Sequence, residues 1–216
     1  MVQSAPTPRS RVRRLKDKAR YDRAVIDAIL DAMPVAHIGH VVDGHPVVTP
    51  TLQWREGDRI YWHGSSASRM QKRASGEQVC VTVTLLDGMV LARSGLEHSV
   101  NYRSVMVFGR AELVEGADAK AEHLRRMMQQ MLPGRWDQLR PMTAQELKAT
   151  RILSLPLTEA SAKISAGPPT DPPEDALWPV WAGVVPIHLT VGAPVPAPGL
   201  APCLAVPDYA RDYRIG

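Results

Sequence analysis

The chain has 216 residues, 44% of them hydrophobic, and a formal net charge of +4. That length and apolar content suit one compact unit with tails, and two cysteines, Cys80 and Cys203, are too few for a disulfide framework or a cysteine zinc site. No apolar run approaches the length of a membrane span, so a cytoplasmic protein without membrane contact is expected.

The positive excess is concentrated in Arg9, Arg11, Arg13, Arg14, Lys16, Lys18 and Arg20. Residues 1–20 therefore read as a basic, flexible N-terminal arm, and with no aromatic residues between the charges a solvated terminus is favoured over a nucleic-acid contact. The pair Arg13-Arg14 precedes Lys-Asp-Lys-Ala-Arg rather than the apolar run of an export signal. From Tyr21 to Met33, apolar residues at Val25, Ile26, Ile29, Leu30 and Met33 follow one helical face, and Pro34 ends it.

At Val35 the period shortens to that of strands. VAHIGHVV, Asp43-Gly44 and PVVTPTLQW predict a hairpin whose turn needs residues tolerant of positive φ. A second hairpin turns at Glu56-Gly57-Asp58 and returns through Arg59 to His63, and a helix within Ser65–Ser75 is capped by Gly76. VCVTVTLL is expected to turn at Asp87-Gly88 into MVLAR. SGLEHSVNYR reads as a loop, and a further strand follows from Ser104. Ala117 to Met131 is amphipathic, Thr143-Ala-Gln-Glu146 is a capping-box pattern, and residues 151–165 read as a last strand pair. Residues 166–216 form a Pro-rich extension, loosest beyond about 192. Many hairpin-joined strands with helices between and after them predict a mainly β, antiparallel barrel over residues 21–165 with helices outside it.

The stretch 46–70, PVVTPTLQWREGDRIYWHGSSASRM, concentrates the candidate chemistry. Free N–H groups at a helix start, the hydroxyls of Ser65, Ser66 and Ser68, and the Arg69 guanidinium suit a phosphomonoester. An ordinary capped surface helix would need only one of those serines. His63, just before Gly64, is expected to face the same corner, either as a structural histidine or as a proton donor or ligand. Thr49-Pro50-Thr51 would lie on the adjacent strand. There Pro50, lacking an N–H, leaves either room for a ligand edge or a plain sheet edge. His37, His40 and His45 find no carboxylate or cysteine to complete a metal set, so no metal site is expected.

As a whole, the chain resembles the pyridoxamine 5′-phosphate oxidase-related family of split-barrel flavoproteins, most closely its nitroimidazole-resistance branch. The stretches that carry the resemblance are RRLKDKARYDRAVIDAILDA, VVDGHPVVTPTLQWREGDRIYWHGSSASRM, VTVTLLDGMVLARSGLEHSVNYRSVMVFGRAEL, LPGRW, QELKAT, SAKISAGPP and WPVWAGVVP, between roughly Arg13 and Pro186.

The resemblance implies a six-stranded antiparallel split β-barrel, a homodimer, and FMN held at the subunit interface. It assigns Ser68 and Arg69 to the cofactor phosphate and Thr49, Pro50, Thr51, His63 and Gly64 to the cofactor edge, and it makes Arg103 and Ser104 candidates beside the ring. His63 becomes the candidate catalytic residue. Met70 stands where oxidases commonly carry a lysine, and Ile164-Ser165 stands where close relatives carry an arginine. The implied function is FMN-dependent oxidation or reduction of a small aromatic or nitro-substituted substrate. The alternative is a non-catalytic carrier of FMN or haem.

Overall fold

The structure, a computed structural model, describes residues 6–215. Its strands are β1 (Ala19–Arg20), β2 (Val35–Val42), β3 (His45–Glu56), β4 (Arg59–Ser65), β5 (Gln78–Leu91), β6 (Ser99–Arg110), β7 (Glu112–Leu113), β8 (Thr150–Pro156), β9 (Ala160–Ser165) and β10 (Gly183–Pro186). The helices are α1 (Arg23–Ala32), α2 (Arg69–Ala74), α3 (Ala117–Met131), α4 (Ala144–Ala149) and α5 (Asp208–Arg211). The sheet is antiparallel, in the order β1-β9-β6-β5-β2-β3-β4-β8-β7, with β10 on β5. This is the split-barrel architecture, built from ten strands rather than six. Its ends come together because the chain runs directly from β6 into β7, and β7 pairs with β8 at the far end of the order.

The turns follow their chemistry. Asp43 (φ 51°) and Gly44 (φ 82°) close the β2–β3 hairpin with Val42 opposite His45, both in the left-handed region that a two-residue turn demands. Alternation places Ala36, Ile38, Val81, Val83, Val105, Val107 and Ala162 on one face, where they form the barrel core with α1. A second cluster, Trp54, Tyr61, Leu124, Met127 and Ile152, lies under α3.

Two segments differ from expectation. Asp87-Gly88 is not a turn: β5 runs through it with a bulge between Leu86 and Gly88, so that one long strand serves both halves of the sheet. Gly88 fits there because a Cβ would come within 3.0 Å of the Val185 carbonyl oxygen on β10. The supposed loop 94–103 gives up its second half to β6, which begins at Ser99.

Of the arm read as flexible, residues 1–5 lie outside the described residues. The remainder lies against the barrel. Lys18 Nζ donates to Ser165 Oγ at 2.9 Å, Arg9 pairs with Glu159, and Ala19–Arg20 extends the sheet beside β9. The Pro-rich extension, apart from Gly216, which is also outside the described residues, contributes β10 to β5 and sets Tyr209 against Arg135 and Gln138.

Candidate functional site

The barrel opens where β3 leaves β4. These strands pair only from Gln53 opposite Trp62 to Glu56 opposite Arg59, while β3 stays paired with β2 as far as His45. The Thr49–Thr51 segment therefore has β2 on one side and a free edge on the other. Pro50, which cannot donate to a ladder, sits in this unpaired stretch and costs no hydrogen bond. Across the gap, Thr51 Oγ1 reaches the His63 carbonyl oxygen at 3.5 Å. β3 is anchored by the buried Gln53, whose Nε2 donates to the Leu30 and Met33 carbonyls, both at 2.6 Å.

The opening leads to the start of α2. Ser66 N–H donates to Ala149 O at 2.7 Å, Ser68 N–H donates to Ser65 O at 2.9 Å, and Ser65 Oγ accepts from Ala67 N–H at 3.2 Å. The Ser68 hydroxyl makes no capping bond, and the first turn of α2 contains no acidic residue. Arg69 is exposed, and among the described residues it forms no ion pair, unlike Arg73, which pairs with Asp43. Hydroxyls, amides and an unengaged guanidinium thus share one corner with no carboxylate in the helix turn that opens it, an arrangement suited to an anion.

Met70 points elsewhere: it packs against the barrel core. A lysine there would have to leave that packing to serve the corner. Another cation reaches α2 from a distant part of the sequence. Arg151 on β8 lies opposite Gly64, and its Nη1 donates to the Gln71 carbonyl at 3.4 Å. Sequence reading missed Arg151, since its place depends entirely on the β4–β8 register. It also missed Gln71, a fully buried α2 residue whose side-chain amide nitrogen and oxygen have no partner among the described residues. Gly64 makes room for it, because a Cβ there would lie 2.8 Å from Gln71 Nε2. An unpaired buried amide next to a cationic corner fits a bound polar group that completes its hydrogen bonds.

His63 belongs to the rim of the opening by its backbone only. Its ring lies 6.0 Å from that of Trp54, on the α3 side of the sheet, rather than beside the serines. Burial pushes its pKa below the ordinary 6.5, favouring the neutral ring, and Nδ1 has no partner. A neutral imidazole with an unengaged nitrogen has the chemistry of a metal or haem ligand. Buried His40 also has an unpartnered Nδ1. Among the described residues, no three His, Cys, Asp or Glu side chains converge on a metal-ion site.

Arg103 and Ser104 stand apart from the corner within one chain. They lie on β6, separated from β3 in the sheet by β5 and β2. Arg103 Nη2 donates to Asp87 Oδ1 at 2.8 Å, and the pair borders a cavity of about 200 Å³ with Leu86, Ile187 and His188. Ser104 Oγ donates to Lys163 O at 3.3 Å.

Fold and corner together define a split-barrel protein with a free strand edge beside hydroxyls, amides and an unengaged guanidinium. The family model described as pyridoxamine 5′-phosphate oxidase matches residues 22–164, and the chain belongs to that family. It is 48% identical to the flavocytochrome Anf3 from Azotobacter vinelandii, with a TM-score of 0.95 over 99% of this chain and 100% of that one. It is 39% identical to an FAD and haem binding protein from Mycobacterium smegmatis, with a TM-score of 0.87 over 91% and 97%. A 5-nitroimidazole antibiotic resistance protein described as putative, from Bacteroides thetaiotaomicron, shares the fold at 21% identity and a TM-score of 0.55, over 68% and 86%. No curated protein matches.

Proposed function

We propose that this protein is a flavin- and haem-binding redox protein, in which the corner at the start of α2 holds the flavin phosphate and the free edge of β3 borders the ring. The observation that carries this reading is the 48% identity, over nearly the whole chain, to a flavocytochrome. The unengaged Arg69, the Arg151 opposite Gly64 and the unpaired Gln71 amide support it from the structure.

A bound flavin would supply hydride or single-electron transfer, and a bound haem would supply iron redox chemistry. The chain's own part is to bind and orient. Arg69 and Arg151 would neutralise phosphate charge, the Ser68 hydroxyl would donate a hydrogen bond to it, and the Pro50 carbonyl offers an acceptor along the open edge. His63, with its desolvated neutral ring, would be the iron ligand. Of the two flavins, FAD is favoured over the FMN expected from sequence, because the 39%-identical relative is described as binding FAD. A small aromatic or nitro-substituted electron acceptor remains the proposed substrate. Exposed Val41, Val48, Leu86 and Met106 on the sheet's outer face support a homodimer, which would let Arg103 of one chain approach the cofactor of another.

The untreated protein is expected to show flavin and haem absorption together, and the flavin released on denaturation to run as FAD. Arg151→Met should weaken flavin binding about tenfold, the worth of one hydrogen bond to a charged group. His63→Ala should remove the haem absorption and leave the flavin, whereas His40→Ala should keep both. A protein that carries neither chromophore, even after reconstitution, sinks the proposal.

A further inference from the structure

Beyond the cofactor corner, the α3 side of the sheet carries an aromatic column. The rings of His63 and Trp54 are 6.0 Å apart, those of Trp54 and Tyr61 5.6 Å apart at an interplanar angle of 18°, and those of Tyr61 and His123 4.6 Å apart. Trp54 is 1% exposed and Tyr61 7%. Packing alone accounts for stacked rings, but not for the carboxylate beside them. Glu56 Oε1 accepts from Trp54 Nε1 at 2.7 Å and lies 2.9 Å from His123 Nδ1, while Arg126 Nη1 holds Glu56 Oε2 at 3.1 Å. The other fully buried tryptophan, Trp62, has an indole nitrogen with no partner among the described residues. Of these two buried indoles, only the one in the column has a base on its N–H.

We propose that Trp54 and Tyr61 form a relay for single electrons between the His63 ring and the protein surface at α3, with Glu56 as its proton store. The inference rests on the redox reading above for its purpose, but not for its test. In the relay, a one-electron oxidant beside the His63 ring takes an electron from Trp54, and the indole proton moves to Glu56. Tyr61 then gives one electron to Trp54, which takes its proton back from Glu56, and the Tyr61 phenol releases its own proton to water. A soluble one-electron reductant such as a thiol or ascorbate returns an electron, with a proton, at Tyr61. The net change is one electron moved from the soluble reductant to the oxidant. Such a path would drain stray oxidising equivalents away from a redox centre before they damage the barrel.

The test uses the full chain with Cys80→Ala and Cys203→Ser and a ruthenium photosensitiser on Ala67→Cys, an exposed position four residues beyond His63. Flash oxidation in the presence of a quencher should give a tyrosyl radical by electron paramagnetic resonance and transient absorption. Trp54→Phe should lower its yield at least about fivefold, and Tyr61→Phe should replace it with a longer-lived tryptophanyl radical. Glu56→Gln, which keeps the side-chain shape, should slow radical formation. Tyr209→Phe, on the C-terminal helix, should change nothing. A tyrosyl yield unaffected by Trp54→Phe, or a formation rate unaffected by Glu56→Gln, overturns the relay. If it fails in a protein that shows flavin and haem absorption, the relay alone is wrong; if it works in a protein with neither, the relay stands and the cofactor reading falls.

Discussion

Gly64 illustrates how much a single position decides here. It is the last point at which β4 lies against Arg151 before the chain bends into the serine loop, and its missing side chain is the space occupied by Gln71. Gly64→Ala would press a methyl group against Gln71 Nε2 at 2.8 Å and Cγ at 3.1 Å, in a helix already packed into the core through Ala74. Overpacking of this kind costs about 1–3 kcal/mol. The expected result is a lower midpoint in chemical denaturation together with weaker flavin binding, because α2 must shift. The sequence marked Gly64 through its neighbours His63 and the serines. It carried no mark on Gln71 or Arg151, whose importance comes from contacts across seven and 87 positions of chain, in that order.

Among the elements, α4 tests whether a local sequence signal survives in the fold. The capping box foreseen at Thr143–Glu146 is present: Thr143 Oγ1 accepts from Glu146 N–H at 3.2 Å, and Glu146 Oε2 accepts from Thr143 N–H at 2.8 Å. Thr143→Ala should cost about 1 kcal/mol, read as a shift of the urea midpoint. Arg140, followed by the Thr143 contacts, holds the Glu146 carboxyl down at about 2 from an ordinary 4.5. A depressed carboxylate stabilises the fold fully above its unfolded value and loses that contribution as pH falls toward the folded one. The difference between wild type and Glu146→Gln should therefore be present at pH 7 and shrink between about pH 4.5 and pH 2. A difference that grows on acidification would contradict the assignment. α3 was equally legible, because its apolar period and the Pro133-Gly134 stop are local. β5 was not: Asp87-Gly88 has the composition of a turn, and only its neighbours, Arg103 on one side and β10 on the other, hold it as a bulge.

On the scale of the molecule, the tail completes the barrel. β2 covers the edge of β5 only at Cys80–Thr82, and β10 covers Gly88–Leu91. A chain ending at Gly167 leaves that second stretch of edge unpaired, and an open edge invites pairing with other chains. Thermal unfolding of this truncation should come about 4–8 °C earlier, corresponding to roughly 2 kcal/mol of lost ladder bonds. Light scattering should show larger particles at the same concentration. An unchanged midpoint and size would mean that β10 only rests on the barrel.

Periods, turns and caps within a few residues determined an antiparallel barrel, the hairpins at Asp43-Gly44 and Gly57, and the positions of α1, α3 and α4, while the split form of the barrel followed from the family resemblance. The tertiary structure decided which strand edge stays open, that Arg151 lies opposite Gly64, which way His63 faces and where the described arm and tail lie. These depend on strand register and on which charges meet acceptors across the sheet. Neither is encoded in a local window, because the free energy that settles them comes from burial and pairing between segments distant in the chain.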